Sequence, residues 1–509
     1  MDKLLKKVKP QYKAAFLGTF IIGFLCHFYT MSHHFLTYDS MWNLYSDQDM
    51  ISSGRQFLTY ACGISSFYDL PALNGILAVF YLSLTAVLLV DIFKVRGNVT
   101  AVLLGGVLVT FPSVSSTFCY TYTIDGYMLA VLLTTLAFRL TDKYKLGFIP
   151  GILLSGIGIG IYQAYFAYLI VLCIIKILVD LLEEENIKSF FPKIGRYLCM
   201  GAGGYLFYVV SLKLMMVWKG AEFSGYQGTD KVLSFSLSQI PRGLSAALDS
   251  VYQFAVWGNI FTTTAPMKIA YVALGLLGIG LYLFLFIKKC RYRSAVRIFL
   301  GILLICVLPF GLNIISILSP EVVYHLLIRY AWVLLFVFVL ILADHLDMVQ
   351  AKEGFKTAAA SLVAVFSIIM IFEFAVVANI VAFNMEERYE KTYALCIRIV
   401  DRLEQTEGYE TGMEVAILGG FPDSEYYPST SITGMDLSGY FGADGDYCVN
   451  ATAKYAEFCA HYLNFTMTTI SQEREIQLAG TEEFAEMGKF PDKESIRQID
   501  GVWVIKING

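Results

Sequence analysis

The chain has 509 residues, of which 57% are hydrophobic, 15% aromatic and only 16% charged, with a formal net charge of −4. Soluble domains carry about 25% charged residues, so this composition excludes an ordinary soluble protein. The charge is also divided unevenly, because the residues from Asn384 onward include 22 acidic and 10 basic side chains. An acidic domain is therefore expected to follow a basic, apolar membrane region.

Apolar runs of about 17–25 residues recur, the length that crosses a hydrocarbon core roughly 30 Å thick. We predict eleven transmembrane helices, at residues 14–31, 71–91, 99–115, 124–140, 147–161, 162–183, 196–218, 265–287, 295–316, 323–346 and 358–383. The first lacks a small-x-small cleavage pattern, so we interpret it as a retained helix rather than a signal peptide. The fifth is short, and it is either a full span or a broken, re-entrant helix.

Lysine and arginine are concentrated in alternate connections, about 20 on one side against 4 on the other. Positive residues are retained on the cytoplasmic side of a membrane. The distribution therefore predicts a cytoplasmic N-terminus and two domains, a transmembrane domain over 1–383 and an extracytoplasmic domain over 384–509. Two long outside loops, 32–70 and 219–264, interrupt the first domain, and both are amphipathic.

The loop 32–70 is the richest in polar side chains, and it contains Asp39, Ser40, Asp47, Asp49 and Arg55. Several carboxylates beside one arginine suit a reaction at the membrane surface. A carboxylate partly shielded from water can act as a general base on a hydroxyl. Helix capping by Asp39 and Ser40, together with a surface ion pair made by Arg55, explains the same residues equally well.

Further candidates lie at the ends of later spans, where charged side chains are costly and often functional. Asp125 opens the fourth span, and Tyr162 and Gln163 open the sixth. In the tenth, His325 and Arg329 are four residues apart and would share a helical face. The arginine there could bind a lipid phosphate in a bidentate manner or could simply extend to the interface.

Other polar features of the spans favour structural interpretations. Lys176 and Asp180 have the spacing of an i,i+4 ion pair, and Glu373 is expected to be hydrogen-bonded or neutral. The glycines at 156, 158 and 160 lack the strand and downstream acid of a dinucleotide site, so we assign them to helix packing. No Walker loop and no basic nucleic-acid patch is found, so neither nucleotide-driven transport nor a nucleic-acid partner is supported.

The acidic region has the pattern of a small α/β domain. An amphipathic helix is predicted over 384–406, a helix over 451–461, and buried strands at 412–420 and 502–507. Cys448 and Cys459 could form a disulfide in an oxidising compartment or remain two buried thiols.

Taken in order, these motifs resemble the type II glucosyltransferases that modify bacterial surface polysaccharides, a family of the GT-C superfamily. The residues that carry the resemblance are Tyr38-Asp39-Ser40, Gly54-Arg55, Asp69-Leu-Pro71, Asp125, Tyr162-Gln163, Arg329, Val415 to Pro422, Asn464, Phe490-Pro491 and Val502 to Lys506. The expected fold is a polytopic α-helical membrane protein of about eleven helices with a C-terminal α/β extracytoplasmic domain.

The resemblance implies a sugar donor, with glucose expected, on polyprenyl phosphate, and a surface glycan as acceptor. Asp39 would be the catalytic base, while Arg55 and Arg329 would stabilise the leaving phosphate. Substrate binding would also involve Ser40, Asp47, Asp49, Asp125, Tyr162, Gln163 and His325.

The family commonly has two adjacent acids where this chain has Asp39 and Ser40. That departure weakens a two-carboxylate or metal-dependent mechanism, unless Asp47 or Asp49 supplies the second charge. No cofactor is expected, although a divalent cation is compatible with the sequence.

The resemblance places the chain in a bacterial plasma membrane, in contact with the lipid bilayer. Two alternatives come from other classes: a transporter or flippase of a lipid-linked glycan, and a non-catalytic membrane scaffold. The sequence shows no internal repeat of the kind common in transporters.

Overall fold

The computed structural model describes residues 8–508 except 38, 185, 187–189, 223–238, 258–259, 320–324, 427–440 and 443–446. Tyr38 of the first motif and much of the predicted loop 219–264 therefore lie outside the described residues. The chain divides into two units. The first comprises Met1–Ser32 and Tyr45–Asn379, and the second comprises His33–Leu44 and Ile380–Gly509.

The first unit is mainly helical in its described part. Its helices are α1 (Pro10–Ser32), α2 (Leu58–Cys62), α3 (Pro71–Ile92), α4 (Asn98–Thr110), α5 (Pro112–Phe118), α6 (Thr121–Lys143), α7 (Phe148–Ile161), α8 (Tyr165–Glu183), α9 (Phe190–Lys219), α10 (Ile240–Tyr252), α11 (Ala265–Lys288), α12 (Ala295–Leu312), α13 (Ile314–Leu318), α14 (Val333–Asp344) and the beginning of α15 (Glu353–Glu404).

Among the described residues, nine helices are long and apolar enough to cross a membrane, or ten if the bent pair α4 and α5 counts as one span. The predicted fifth span, 147–161, corresponds to α7, which has only 14 residues and accounts for the difference from eleven. The pair α4 and α5 is bent by 45° at Pro112. The residue before a proline avoids the helical region, and Phe111 accordingly has an extended ψ of 136°. The protein is thus a polytopic helical membrane protein with fewer full-length spans than we expected.

The short helix α7 packs closely between α6 and α9 because it presents glycines to both neighbours. A Cβ atom added to Gly156 would lie 2.5 Å from the Phe207 ring, and one added to Gly158 would lie 2.6 Å from the Thr134 hydroxyl. Small residues allow helix backbones to approach closely in membranes. The prediction that these glycines serve helix packing is confirmed for Gly156 and Gly158, whereas Gly160 lies against Phe57 and Gln56.

Several charged side chains in the spans have structural partners. Lys176 forms an ion pair with Asp180, as predicted from their spacing. Glu373 accepts a hydrogen bond from the Thr264 hydroxyl at 2.6 Å, which agrees with the hydrogen-bonded role expected for it. Since unpaired charges are costly within a bilayer, these contacts explain why the residues are tolerated there.

The second unit is a four-stranded sheet between two helical layers. Its strands are β1 (Glu414–Leu418), β2 (Thr468–Thr469), β3 (Ile496–Ile499) and β4 (Val502–Lys506), in the order β2-β1-β4-β3. β1 is parallel to both β2 and β4, whereas β3 is antiparallel to β4. Its helices are α15 from Ile380 onward, α16 (Thr452–Leu463), α17 (Gln472–Ala479) and α18 (Glu482–Glu486).

Alternate side chains of the central strands enter two separate cores. Val415 and Ile417 pack with α15 and α16, whereas Ala416 and Leu418 pack against the side of α17 and α18. This alternation follows from the period of two in a β-strand. Leu36 and Met41 belong to the first of these cores, so the segment 33–44 contributes to the second unit.

The cysteines of the second unit are free thiols in the structure. Cys448 and Cys459 are both buried, and the Cys448 thiol donates to the Leu36 carbonyl at 3.2 Å. Burial raises the pKa of Cys448 to about 12. The structure therefore corresponds to the second of the two alternatives, buried thiols without a disulfide.

Candidate functional site

The loop between α1 and α2 presents Arg55 through a tight turn. A 3-10 turn over Ile51–Ser53 ends at Gly54, which has a left-handed φ of +74°. The Arg55 amide then donates to the Met50 carbonyl at 3.1 Å and closes a short antiparallel bridge. This backbone fixes the direction in which the arginine side chain leaves the loop.

The Arg55 guanidinium contacts two tyrosines. Its Nη1 donates to the Tyr127 hydroxyl at 3.1 Å, and its central carbon lies 5.0 Å from the centre of the Tyr162 ring. The two rings stack on one another with centroids 4.3 Å apart. We call Gly54, Arg55, Tyr127, Tyr162 and Gln163 the Arg55 cluster. A half-buried, oriented guanidinium of this kind suits an anionic oxygen group such as a phosphate.

Gln163 holds the turn in place. Its side-chain amide donates to the Ser53 carbonyl at 2.8 Å and to the Tyr208 hydroxyl at 3.4 Å. Gln56, one residue after Arg55, donates to the Tyr208 carbonyl at 3.2 Å and to the Ser211 hydroxyl at 3.1 Å. The turn that carries Arg55 is thereby tied to the start of α8 and to α9.

The close approach of Gly54 leads to a prediction about stability. A Cβ atom at this position would lie 2.6 Å from the Gln163 amide nitrogen and 2.7 Å from the Tyr208 oxygen, and the φ of +74° disfavours side chains. We expect Gly54→Ala to destabilise the protein by about 1–3 kcal/mol. The check is the midpoint of thermal unfolding in detergent.

Gly220→Ala is a matched control, because Gly220 also has a positive φ, +64°, but an added Cβ would meet nothing within 4 Å. It measures the backbone strain alone. Equal losses for the two variants would show that the contacts of Gly54 with Gln163 and Tyr208 are unimportant.

The other predicted residues of the first unit occupy different places. Asp125 is 1% exposed at the start of α6, and its neighbours are Ser65 and Cys62 rather than Arg55. Asp47 accepts from the Asp49 amide at 3.1 Å, and Asp49 binds the Lys219 ammonium at 2.5 Å. The two loop acids therefore form a turn and an ion pair at the end of α9.

His325 and Arg329 do not share a helical face, because they lie on two successive 3-10 turns rather than on one α-helix. His325 begins the first turn by accepting the Leu327 amide at 3.3 Å. Arg329 donates to the Ser250 carbonyl at 3.1 Å, and its guanidinium lies 4.5 Å from the centre of the Phe254 ring. The spacing predicted a regular helix through His325 and Arg329, but the segment forms 3-10 turns in which Arg329 contacts α10 and the turn after it.

A row of aromatic rings links Arg55 to the Arg329 turn within the first unit. The Tyr162 ring lies 5.6 Å from Tyr165, and Tyr165 lies 6.3 Å from Tyr330, the residue after Arg329. Both contacts are edge-to-face, a favourable geometry for aromatic pairs. The two arginines of the expected phosphate site are therefore connected through packed side chains.

Asp39 and Ser40 belong to the second unit. The Ser40 hydroxyl accepts the Thr37 amide at 3.0 Å and lies 2.9 Å from the Thr37 hydroxyl, so it closes a turn. Asp39 is exposed, and its carboxylate interacts electrostatically with Lys454 on α16. The predicted roles of Asp39 as a base and of Ser40 in substrate binding stay predictions.

Three residues at these sites are not among the functional candidates predicted from the sequence. Tyr127 stood inside a tyrosine-rich motif, and its spacing of two from Asp125 was a signal that could have drawn attention. Tyr208 and Lys454 had no such signal, because their contacts come from segments distant in the chain. In the described part of the chain, no three His, Cys, Asp or Glu side chains meet as metal ligands.

Comparison with known proteins identifies a family for this chain. The family model described as "Glucosyl transferase GtrII" matches residues 28–342, more than half of the chain. All ten predicted site residues lie inside the matched range, whereas the tail motifs of the second unit lie beyond it. No curated protein and no solved structure matches the chain.

Proposed function

We propose a specific transfer reaction for this chain, which belongs to the GtrII family of glucosyl transferases. In this reaction a sugar, with glucose expected, passes from a polyprenyl phosphate to a hydroxyl group of a surface glycan. The observation that carries the proposal is the Arg55 cluster, in which one guanidinium is held against Tyr127 and Tyr162 among membrane helices.

A lipid-linked donor fits the chemistry of the first unit. The outward faces of its long helices are apolar, and the exposed side chains include Leu214, Leu276, Phe299 and Phe372. A polyprenyl chain can reach such a protein from the bilayer. Its phosphate is an activated leaving group, so the enzyme needs no nucleotide-binding motif, and the sequence contains no Walker loop.

The proposed step breaks the bond between the anomeric carbon and the phosphate oxygen and forms a bond from that carbon to the acceptor oxygen. Arg55 stabilises the negative charge that grows on the leaving phosphate. Tyr127 and Tyr162, both buried, orient Arg55 through a hydrogen bond and a ring contact. Asp39 takes the proton of the acceptor hydroxyl, as the family resemblance implies.

Arg329 and the remaining predicted residues have supporting roles in this proposal. Arg329 offers a second cationic group along the tyrosine row, and Asp125 contributes a buried carboxylate at the start of α6. Asp49 and Lys219 brace the loop that carries Arg55.

From the distribution of Lys and Arg we further propose that the N-terminus is cytoplasmic and that the second unit is outside a bacterial plasma membrane.

Donor choice tests the proposal directly. We expect the purified chain in nanodiscs to transfer radiolabelled glucose from polyprenyl-phosphate glucose to extracted surface glycan. The matched control donor is UDP-glucose, from which we expect no transfer, because the sequence contains no nucleotide-binding motif. The measurement is label in the glycan fraction over time.

If the chain were a transporter or flippase, the donor experiment would give a different result. It would give no transfer with any polyprenyl-linked sugar, but it would move such a lipid across liposome membranes. Transfer from UDP-glucose would contradict the lipid donor while leaving a glucosyl transferase in place.

A further inference from the structure

The second unit contains a group of side chains that the family model matches only in part, because Trp42 lies inside the matched range and Lys454 lies beyond it. Trp42 follows Asp39 on a 3-10 turn, and its ring is 55% exposed. The Lys454 ammonium lies 4.7 Å from the centre of that ring. Lys454 is on α16, beyond the matched residues 28–342, and only 8% of it is exposed.

The same face of α16 presents further polar groups. Lys454, Glu457 and His461 are spaced by three and four residues, so they lie along one side of the helix. Glu457 Oε2 is buried, and no described residue donates a hydrogen bond to it. Buried acceptors are nearly always satisfied by protein, water or ligand, so this oxygen calls for a donor.

The opposite charges in this group attract one another, but this attraction does not offset the effect of burial on the pKa of Lys454 or of Glu457. Burial lowers the pKa of Lys454, against the opposing effects of Asp39 and Glu457. Burial raises the pKa of Glu457, against the opposing effects of His461 and Lys454. The group is thus a partly desolvated polar site beside an exposed aromatic ring.

We infer that Trp42, Lys454 and Glu457 form a subsite that binds a hexose unit of the acceptor glycan. The apolar C–H face of a pyranose ring stacks on an exposed indole, while its hydroxyls donate to a carboxylate and accept from an ammonium. Trp42 supplies the flat surface, Glu457 Oε2 the acceptor and Lys454 the donor. This inference rests on the proposed function for the identity of the glycan as acceptor.

The position of the subsite connects it to the proposed catalytic base. Asp39, the proposed base, interacts with the same Lys454 that lies over the Trp42 ring. A hexose bound there would bring acceptor hydroxyls to the surface that carries Asp39. The subsite would therefore govern acceptor affinity and leave donor affinity unchanged.

Steady-state kinetics of the full chain in nanodiscs test the subsite. We expect Trp42→Leu to raise the KM for extracted surface glycan by about tenfold, because the flat stacking surface is lost. Trp42→Phe should stay within about threefold of the parent, since it keeps an aromatic face. Glu457→Ala should also raise the acceptor KM, and the KM for polyprenyl-phosphate glucose should not change.

Tyr426→Leu is the control, because Tyr426 is another exposed aromatic residue of the second unit, 50% exposed. It should leave both KM values unchanged. A second arm measures binding of the extracted glycan, without donor, by saturation-transfer NMR on the parent and on Trp42→Leu. This arm does not require catalysis.

The outcomes separate the subsite from the proposed function. Glycan binding that depends on Trp42, without any transfer by the parent, would support the subsite and overturn the transferase proposal. Transfer that proceeds equally in Trp42→Leu, with unchanged glycan binding, would overturn the subsite. Absence of glycan binding by the parent in the second arm would overturn it as well.

Discussion

Replacing Arg55 with alanine is expected to lower kcat/KM for polyprenyl-phosphate glucose by about 10²–10³-fold, the usual loss when one stabilising donor for transition-state charge is removed. Arg55 donates to the Tyr127 hydroxyl and rests on the Tyr162 ring, so its guanidinium is oriented before substrate arrives. Preorganised donors of this kind need little rearrangement during the reaction. The measurement is initial-rate transfer by the variant and the parent at matched protein concentration.

Arg55→Lys distinguishes charge from geometry. Lysine keeps the positive charge but loses the planar fork that binds two phosphate oxygens at once. We therefore expect an intermediate loss, about 10–100-fold, in kcat/KM. If lysine restored full activity, a point charge would be sufficient and the bidentate role would be wrong.

The control for both variants is Arg242→Ala. Arg242 is an exposed arginine near the beginning of α10, and it was predicted to lie on the same side of the membrane as Arg55. This variant should transfer sugar at the parent rate. Because the Arg55 side chain also bonds to Tyr127, the unfolding temperatures of all three variants should be compared, and an activity loss that follows lost stability would count against a catalytic role.

Much of the membrane architecture was predictable, because a bilayer permits few solutions for the backbone. Long apolar runs such as 71–91 and 265–287 correspond closely to α3 and α11. The bend between α4 and α5 was not predicted, although Pro112 marks it, because hydropathy alone does not register a local change of direction. The same measure did not separate the 14-residue α7 from a full span.

Within the candidate site, residue types were easier to predict than contacts. Arg55, Tyr162 and Gln163 were named from their chemistry and from the family resemblance, and the structure brings them together in one cluster. The spacing of His325 and Arg329 suggested a helix, but hydrogen bonds to Leu327 and Ser250 favour 3-10 turns. Tertiary contacts overrode a local periodicity there.

The least predictable feature was the division of the first long loop. The sequence pattern predicts one outside loop of the transmembrane domain over 32–70, whereas His33–Leu44 belongs to the second unit and Tyr45 onward to the first. Leu36 and Met41 enter a core formed mainly by residues after Ile380. Such pairing of distant segments leaves no local pattern in the sequence.

The role of Asp39 gives the second large expected effect. We expect Asp39→Asn to lower kcat by about 10²–10⁴-fold, the range attributed to a general base, with the fold retained. The side chain is exposed and makes no capping hydrogen bond within its turn, so asparagine should be accommodated. The measurement is transfer to extracted glycan, together with the unfolding temperature.

Asp49→Asn and Asp47→Asn are the matched comparisons, because each removes one carboxylate from the same predicted loop. Asp49 already forms an ion pair with Lys219, and Asp47 accepts the Asp49 amide, so both are engaged in structure. We expect these variants to lose less than about tenfold in kcat, since they would disturb the loop without removing the base. A larger loss in either variant than in Asp39→Asn would move the base to that residue.

Lys454→Met offers a check on the role of Asp39. The Lys454 ammonium interacts electrostatically with Asp39 and belongs to the proposed acceptor subsite. Lys454→Met should therefore raise the KM for extracted glycan but lower kcat by less than about tenfold, because it leaves the proposed base in place. A kcat in Lys454→Met as low as that of Asp39→Asn would mean that Asp39 binds the acceptor together with Lys454 rather than transferring a proton.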